Sequence, residues 1–115
     1  MNIDAATMQN AAGEASALLK ALANPHRLMI VCQLVEGQRS VGELADFLDI
    51  RDSTVSQHLA LMRREGLVSA RRDGQTIWYA IKNPAARAVI ETLFALYCGP
   101  GQKSKPGSRT RRSAR

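Results

Sequence analysis

The sequence is poor in the residues that build metal-stapled or membrane-embedded proteins. Its 115 residues include two Cys and two His, and aromatic residues make up only 4%. Two Cys cannot form the ligand spacings of a zinc finger, so we expect neither a metal site nor a cofactor. No apolar run approaches the roughly 20 residues that span a bilayer. Residues 1–20 also lack the pattern of a secretory signal. We therefore predict a cytoplasmic protein without a membrane partner.

The sequence also lacks the motifs of the common enzyme classes. It has no Gly-rich phosphate-binding loop, no H-E-x-x-H pair and no plausible catalytic triad. A chain of this length folds as one small domain, which excludes a multidomain enzyme. A domain this small buries a modest share of its surface and often gains stability by pairing with a copy of itself. We expect a homodimer that has no catalytic residues.

Acidic residues are missing from the C-terminal end. The chain carries 16 Lys and Arg against 10 Asp and Glu, a formal net charge of +6. Residues 1–98 contain all of the acids and form the predicted folded domain. Residues 99–115 have no aliphatic or aromatic residue larger than Ala and Pro, which predicts a disordered tail. This tail is either a solvated terminus or an arm attracted to phosphates. Its basic residues are Lys103, Lys105, Arg109, Arg111, Arg112 and Arg115.

Two helices are predicted at the start of the chain. Residues 4–22 are rich in Ala and Leu, which favours a helix with a smooth surface that a partner helix can approach. Asn24 is a preferred N-cap and Pro25 suits the first helical position, so a second helix is expected over residues 25–36. Its apolar stripe places Cys32 on the buried face.

A pair of shorter helices follows. Ser40 and Glu43 have the spacing of a capping box, which predicts a helix over residues 40–48. After a polar turn, Asp52 or Ser53 can cap a fourth helix that ends before Gly66. The inward stripe of this fourth helix is expected to be Val55, Leu59 and Met62.

Beyond Gly66 the apolar period changes from helical to alternating. Residues 67–72 and 75–81 flank Asp73 and Gly74, a strong signal for a hairpin with a two-residue turn. Arg71 and Thr76 then project together near the tip of the hairpin. The expected cross-strand pairs are Ala70 with Ile77 and Val68 with Tyr79.

The last predicted helix begins at Asn83 and Pro84, ends at Cys98 and has little polar surface. Its second side is expected to face another subunit. The expected fold is mainly α with a small β-hairpin wing, in the order α-α-α-α-β-β-α, and dimerises through the first and last helices. A tight helix pair followed by such a hairpin is a winged helix-turn-helix.

The outer face of the fourth helix carries the candidate DNA-binding residues. Hydroxyl and amide groups there can read base edges, and arginines can contact guanine or phosphate. Residues 51–72 contain five Arg against two acids, which makes this surface locally positive. The combination predicts double-stranded DNA as the partner. The candidate residues of this helix are Ser53, Thr54, Ser56, Gln57, Arg63 and Arg64.

Some candidates also have simpler explanations. His58 lies on the border of the apolar stripe, so it is either a DNA contact or a hydrogen-bonded packing residue. Arg71, Arg72 and Gln75 in the wing can touch the flanking backbone or minor groove, or can merely keep an exposed hairpin soluble. A winged helix that binds a protein, and a dithiol redox carrier, are the alternatives from other functional classes.

Four short segments resemble the ArsR/SmtB family of bacterial repressors over roughly residues 15–98. The resemblance implies a winged helix-turn-helix homodimer, joined through its first and last helices. Such a dimer binds a near-palindromic operator and releases it when an inducer is sensed. The segments are Leu22-Ala23-Asn24-Pro25-His26-Arg27-Leu28, Thr54-Val55-Ser56-Gln57-His58-Leu59, Glu65-Gly66-Leu67-Val68, and Arg72-Asp73-Gly74-Gln75 leading to Trp78-Tyr79.

The metal-binding sets of that family do not match this sequence. Many members use cysteines on the first helix of the helix-turn-helix or Asp and His pairs on the last helix. Residues 40–48 contain no Cys or His, and residues 83–98 contain no Asp or His. A tetrahedral site would have to be assembled across helices or subunits. An ArsR-type repressor that senses a metal or another signal remains an alternative.

Cys32 and Cys98 resemble the dithiol of the BigR and SqrR subgroup of reactive-sulfur repressors. That resemblance implies that the reduced form represses, and that persulfides or oxidants bridge the two sulfurs and lower operator affinity. Thiol exchange chemistry is compatible with this role, because a second thiol resolves the first modified one. Either cysteine can instead be plain packing, because free Cys behaves as a small hydrophobe.

Overall fold

The computed structural model describes residues 3–99 and confirms a mainly helical fold with a β wing. Residues 100–115, most of the predicted tail, lie outside the described residues. Residues 3–99 contain no helix that is both long enough and apolar enough to cross a membrane. The elements in chain order are α1 (Ala5–Leu22), α2 (Pro25–Val35), β1 (Arg39–Ser40), α3 (Val41–Leu48), α4 (Asp52–Arg64), β2 (Val68–Asp73), β3 (Thr76–Ile81) and α5 (Pro84–Cys98).

The sheet contains a short strand that the sequence pattern did not predict. β1 pairs antiparallel with β3, with Arg39 opposite Tyr79 and Ser40 opposite Trp78, so the strand order is β1-β3-β2. Two residues are too few to produce an alternating apolar pattern. The pairing anchors the start of α3 to the base of the wing and so fixes the helix-turn-helix relative to the hairpin.

Side-chain caps set most of the helix starts. The side chains of Asn24 and Asn83 accept hydrogen bonds from the first backbone N–H groups of α2 and α5. Ser40 and Glu43 form the predicted capping box of α3. The expected capping of α4 by Asp52 or Ser53 is wrong. The N-cap is Arg51, which makes no side-chain cap bond, and Asp52 lies in the first turn, where a carboxylate interacts favourably with the helix dipole.

The register of the hairpin also differs from the expectation. The two-residue connection is Gly74 and Gln75 rather than Asp73 and Gly74, because Asp73 pairs with Thr76. Gly74 has φ of 67°. A positive φ at the first turn position suits a glycine and matches the twist of the strands. Arg71 therefore lies opposite Trp78 and away from Thr76. The expected pairs are replaced by Val68 with Ile81 and Ala70 with Tyr79.

The core is built around α2 and is entirely apolar. Within the described residues, no polar or charged residue is buried. α2 contributes three fully buried side chains, and every other helix adds residues to the same cluster. The predicted inward stripe of α4 is confirmed. The largest fully buried side chains are Ile30, Leu34, Leu44, Leu59, Met62, Ile90, Val31, Val55 and Val68.

The turn between α3 and α4 depends on one left-handed residue. Asp49, the C-cap of α3, has φ of 61° and ψ of 46°, and it is the one non-glycine residue with positive φ among residues 3–99. Asp tolerates this conformation better than most residues with a Cβ atom, whereas a β-branched side chain is strained there. The conformation at Asp49 therefore helps to set the angle between the two helices.

We expect Asp49→Val to lower the free energy of unfolding by about 1–2 kcal/mol more than Asp49→Gly does. Both variants remove the carboxylate, so the effect of losing that group cancels in their difference. Urea unfolding at one fixed protein concentration measures this difference. Equal stability of the two variants would show that the left-handed turn carries no such constraint.

Candidate nucleic-acid interface and thiol pair

The outer face of α4 is polar and exposed. Ser53, Ser56, Gln57, Arg63 and Arg64 are exposed, whereas the opposite face of the helix is buried in the core. The candidate Thr54 is half-buried. The small side chain of Ala60 lies exposed among them and leaves room for close approach to a groove. This arrangement offers donors, acceptors and positive charge along one side of a rod that fits a major groove.

The wing adds further exposed polar side chains. Arg71, Arg72 and Gln75 are all exposed. Arg71 is held in place, because its Nη2 donates a hydrogen bond of 3.1 Å to Oε1 of Gln38 and its Nη1 lies 3.8 Å from Oδ2 of Asp73. The sequence pattern did not indicate Gln38, because the contact depends on the pairing of β1 with β3.

His58 differs from the other candidates of α4. Its Nδ1 accepts a hydrogen bond of 3.1 Å from Nε of Arg27, and its ring meets the ring of His26 edge to face at 5.7 Å between centroids. Burial lowers the pKa of His58, with added effects from the charge of Arg27 and from His26. The ring is half-buried and faces α2 through Nδ1. Arg27 was not among the predicted site residues, although it lies in one of the four segments that resemble the ArsR/SmtB family.

The arginines counted along residues 51–72 are all solvent-exposed. Arg51 is the N-cap of α4, Arg63 and Arg64 lie in its last turn, and the remaining two lie on the wing. The two acids of this region, Asp52 and Glu65, are exposed as well. The surface therefore carries a net positive charge, with the excess at the C-terminal end of α4 and on the hairpin, as expected for contact with a phosphate backbone.

The two cysteines lie on helices that pack against each other. Cys32 is half-buried on α2, Cys98 is exposed at the end of α5, and both thiols are free. Burial raises the pKa of Cys32, and negative charge on Cys98 and Glu36 raises it further. A small cavity beside the Cys32 thiol is lined by Cys32, Val35, Glu36, Ile90, Glu91 and Phe94.

A metal centre finds no support in the part of the chain that the structure describes. Residues 3–99 contain no group of three or more His, Cys, Asp or Glu side chains arranged to hold an ion. The cavity next to Cys32 offers one thiol and two carboxylates. These carboxylates already contact arginines: Glu36 lies 3.3 Å from Arg39 and Glu91 lies 3.8 Å from Arg87.

The fold and the exposed face of α4 define a winged helix-turn-helix protein of the DNA-binding class. Residues 24–70 match the model of a protein family described as bacterial regulatory protein, arsR family. Together with the relative below, this match shows that the chain belongs to the ArsR family of bacterial transcription regulators.

Known proteins support the assignment over most of the chain. The transcriptional activator HlyU of Vibrio cholerae is 44% identical over 95 residues, which are 83% of this chain and 88% of HlyU. The structure of reduced HlyU matches with a TM-score of 0.77 over 80% of this chain and 97% of that chain.

Two further solved structures are similar. The transcriptional repressor BigR of Xylella fastidiosa is 38% identical and has a TM-score of 0.76, covering 84% of this chain and 98% of that chain. A homodimeric winged helix-turn-helix DNA-binding domain from Mycobacterium bovis is 27% identical and has a TM-score of 0.68, covering 84% of this chain and 89% of that chain.

We expect the alkylation rate of Cys32 to rise about tenfold per pH unit between about pH 7 and 8.5, because the thiolate is the reactive form. The raised pKa keeps the thiol protonated throughout this range. The rate is measured with iodoacetamide on the Cys98→Ser variant, in which burial, the largest cause of the shift, remains. A rate that levels off below pH 8 would show that the pKa is lowered instead.

Proposed function

We propose that the protein is a cytoplasmic, homodimeric transcriptional repressor that places α4 in the major groove of a near-palindromic operator. The exposed polar face of α4, backed by three fully buried apolar residues, is the observation that carries this proposal. Ser53, Ser56, Gln57 and Arg64 read base edges or phosphates. Thr54 and Arg63 flank them on the shoulders of the helix.

The wing completes the DNA contact. Arg72 and Gln75 reach the flanking backbone or minor groove, and Arg71 adds positive charge while Gln38 orients its guanidinium. Arg51 and Arg63 place positive charge near the two ends of α4. Phosphate contacts of this kind position the helix, and base contacts select the sequence.

Exposed apolar surface supports the dimer. Met8 and Leu19 on α1 are 52% and 57% exposed, and Leu96 and Tyr97 on α5 are 59% and 74% exposed. Exposed apolar side chains on the two terminal helices are typical of a surface that a second subunit covers. The similar Mycobacterium bovis domain is a homodimer. A two-fold dimer presents two copies of α4 to successive major grooves, which explains a near-palindromic operator.

We expect Gln57→Ala and Arg64→Ala each to weaken specific DNA binding by about tenfold or more, because each removes base or phosphate hydrogen bonds. The probe is a duplex of about 30 base pairs selected by this protein from a random library. Fluorescence anisotropy under reducing conditions gives the affinity. Gln9→Ala, which removes an exposed Gln on α1, is the matched control and should bind as the wild type does. Unchanged affinity in both α4 variants would remove the DNA-reading role of this helix.

The inducing step that we propose is thiol exchange with a reactive sulfur species, such as an inorganic polysulfide. Cys98 is exposed, so its thiolate attacks an outer sulfur, one S–S bond breaks and a shorter polysulfide leaves. Cys98 is then a persulfide. The thiolate of Cys32 attacks the inner sulfur of that persulfide and expels hydrosulfide, which leaves a disulfide between α2 and α5. The polysulfide is reduced and the two thiols are oxidised by two electrons.

The free energy associated with the proposed disulfide can be compared with the free energy that a two-state switch requires. It closes a loop of about 65 residues, a constraint of about 4 kcal/mol in the chain-entropy model. Shifting a two-state equilibrium from 1:99 to 99:1 takes roughly 5.5 kcal/mol. The chain-entropy constraint acts mainly on the unfolded chain, so the link biases the dimer only as far as it fits one arrangement of α2 and α5 better than another. The raised pKa of Cys32 limits the rate of the second step near neutral pH.

We expect Cys32→Ser and Cys98→Ser to bind the selected duplex when reduced and to stay bound after treatment with sodium tetrasulfide. The wild type should release the duplex under the same treatment. Mass spectrometry should detect loss of two hydrogens in the wild type, the mass change of an intramolecular disulfide. Release of the duplex by either single variant would contradict the paired-thiol mechanism. Recovery of the wild-type complex with dithiothreitol controls for irreversible damage.

A further inference from the structure

The side chain of Arg27 joins three helices at one end of α2. Its Nη1 donates a hydrogen bond of 3.0 Å to the backbone carbonyl of Ala21, in the last turn of α1. Its Nε donates to Nδ1 of His58 on α4 at 3.1 Å. The carbonyls of a last helical turn lack partners within the helix and carry partial negative charge, so a guanidinium is favoured there. Arg27 is therefore fixed at one end and reaches α4 at the other.

The bond between Arg27 and His58 requires a neutral imidazole. An arginine guanidinium only donates hydrogen bonds, so Nδ1 must accept with its lone pair. Protonation places a hydrogen on Nδ1 and a positive charge beside the guanidinium, which breaks the bond. His26 faces the same ring from α2. α3 and β2 also pack against α4, and the buried residues that they contribute are Leu44, Ala45, Leu48 and Val68, all apolar.

The contact lies behind the DNA-reading face and not on it. His58 occupies the position between the exposed Gln57 and the buried Leu59, and its Nδ1 is directed at α2. A rotation or shift of α4 moves the whole exposed face relative to the partner subunit's α4. Such a change alters the spacing of the two reading helices, on which operator binding depends.

We propose that Arg27 and His58 are positioning residues for DNA binding: Arg27, anchored on the carbonyl of Ala21, holds α4 in its DNA-reading orientation through a neutral His58. This inference rests on the proposed reading of DNA by α4 and is independent of the thiol pair. It implies that DNA affinity falls as pH decreases through the range in which imidazoles titrate.

Whether DNA affinity rises or falls at low pH distinguishes a positioning role of His58 from direct contact of His58 with DNA. A His58 side chain that touched phosphate would gain positive charge on protonation and bind DNA more tightly at low pH. A His58 side chain that accepts from Arg27 loses its bond, and DNA binding weakens. The lowered pKa of His58 places the loss below the ordinary value of about 6.5, since burial and the charge of Arg27 favour the neutral ring.

The test measures affinity for the selected duplex between pH 7.5 and 5.5 with the full chain kept reduced. We expect the wild type to lose affinity severalfold, but by less than about tenfold, over this range, because the pKa of His58 lies below its ordinary value of about 6.5. His58→Asn keeps an oxygen acceptor near the position of Nδ1 but does not titrate, so its affinity should change less than about twofold over the same range. Arg27→Lys, which has one nitrogen in place of the two that make these bonds, should bind weakly at every pH.

His26→Gln is the matched control and leaves His58 as the one His of the chain. This variant should retain the wild-type loss of affinity. Its single imidazole signal, followed by NMR, should titrate in the pH range where affinity falls. If His58→Asn does not fold, as judged by circular dichroism, this NMR titration still tests whether His58 controls the loss of affinity.

Three outcomes would each overturn the proposal. They are tighter wild-type binding at low pH, wild-type binding that does not depend on pH, and a wild-type pH profile in folded His58→Asn. Failure of α4 to read DNA appears separately, as full affinity in Gln57→Ala and Arg64→Ala.

Discussion

The packing of α2 is the constraint on which the rest of the molecule depends. Ile30, Val31 and Leu34 are almost fully buried, and α2 contacts the other four helices and β3. Burying an aliphatic side chain of this size contributes roughly 1.5–3 kcal/mol. α2 therefore cannot shift without loss of core packing. Contacts at its start reach α4 through Arg27, and contacts further along reach α5 beside Cys32.

This arrangement gives one helix a part in both proposed functions. The reading helix α4 is supported from behind by α2, and the thiol pair spans α2 and α5. In the proposed mechanism, a disulfide between α2 and α5 would act on α4 through packed side chains, which exchange between discrete arrangements rather than deform continuously. The arginines lie on other elements than the two cysteines, at the ends of α4 and on the wing. The same scaffold can then combine salt-dependent DNA binding with a chemical switch.

Periodicity and capping residues predicted most of the fold. The bounds of α5 and the inward stripe of α4 follow from the signals at Asn83, Pro84, Val55 and Leu59, because each reflects local backbone chemistry. The hairpin was predicted, but its register was not, because Asp73-Gly74 and Gly74-Gln75 are both acceptable turn pairs. β1 was missed because it has only two residues and its pairing with β3 is a long-range contact.

The candidate site was predictable to a similar degree. An amphipathic pattern identifies the exposed face of α4, but it cannot show which border residue faces a neighbouring helix. The bond from Arg27 to His58 joins residues 31 positions apart, so it required the fold. The same holds for the hydrogen bond between Arg71 and Gln38.

Dimethyl sulfate interference on the selected duplex tests the central claim most directly, since it reports contacts at guanine N7 in the major groove. Major-groove binding by two copies of α4 predicts that methylation blocks the reduced protein in two clusters, centred about 10 base pairs or a multiple of that apart. Unimpaired binding to methylated guanines throughout the site would contradict the placement of α4 in the major groove.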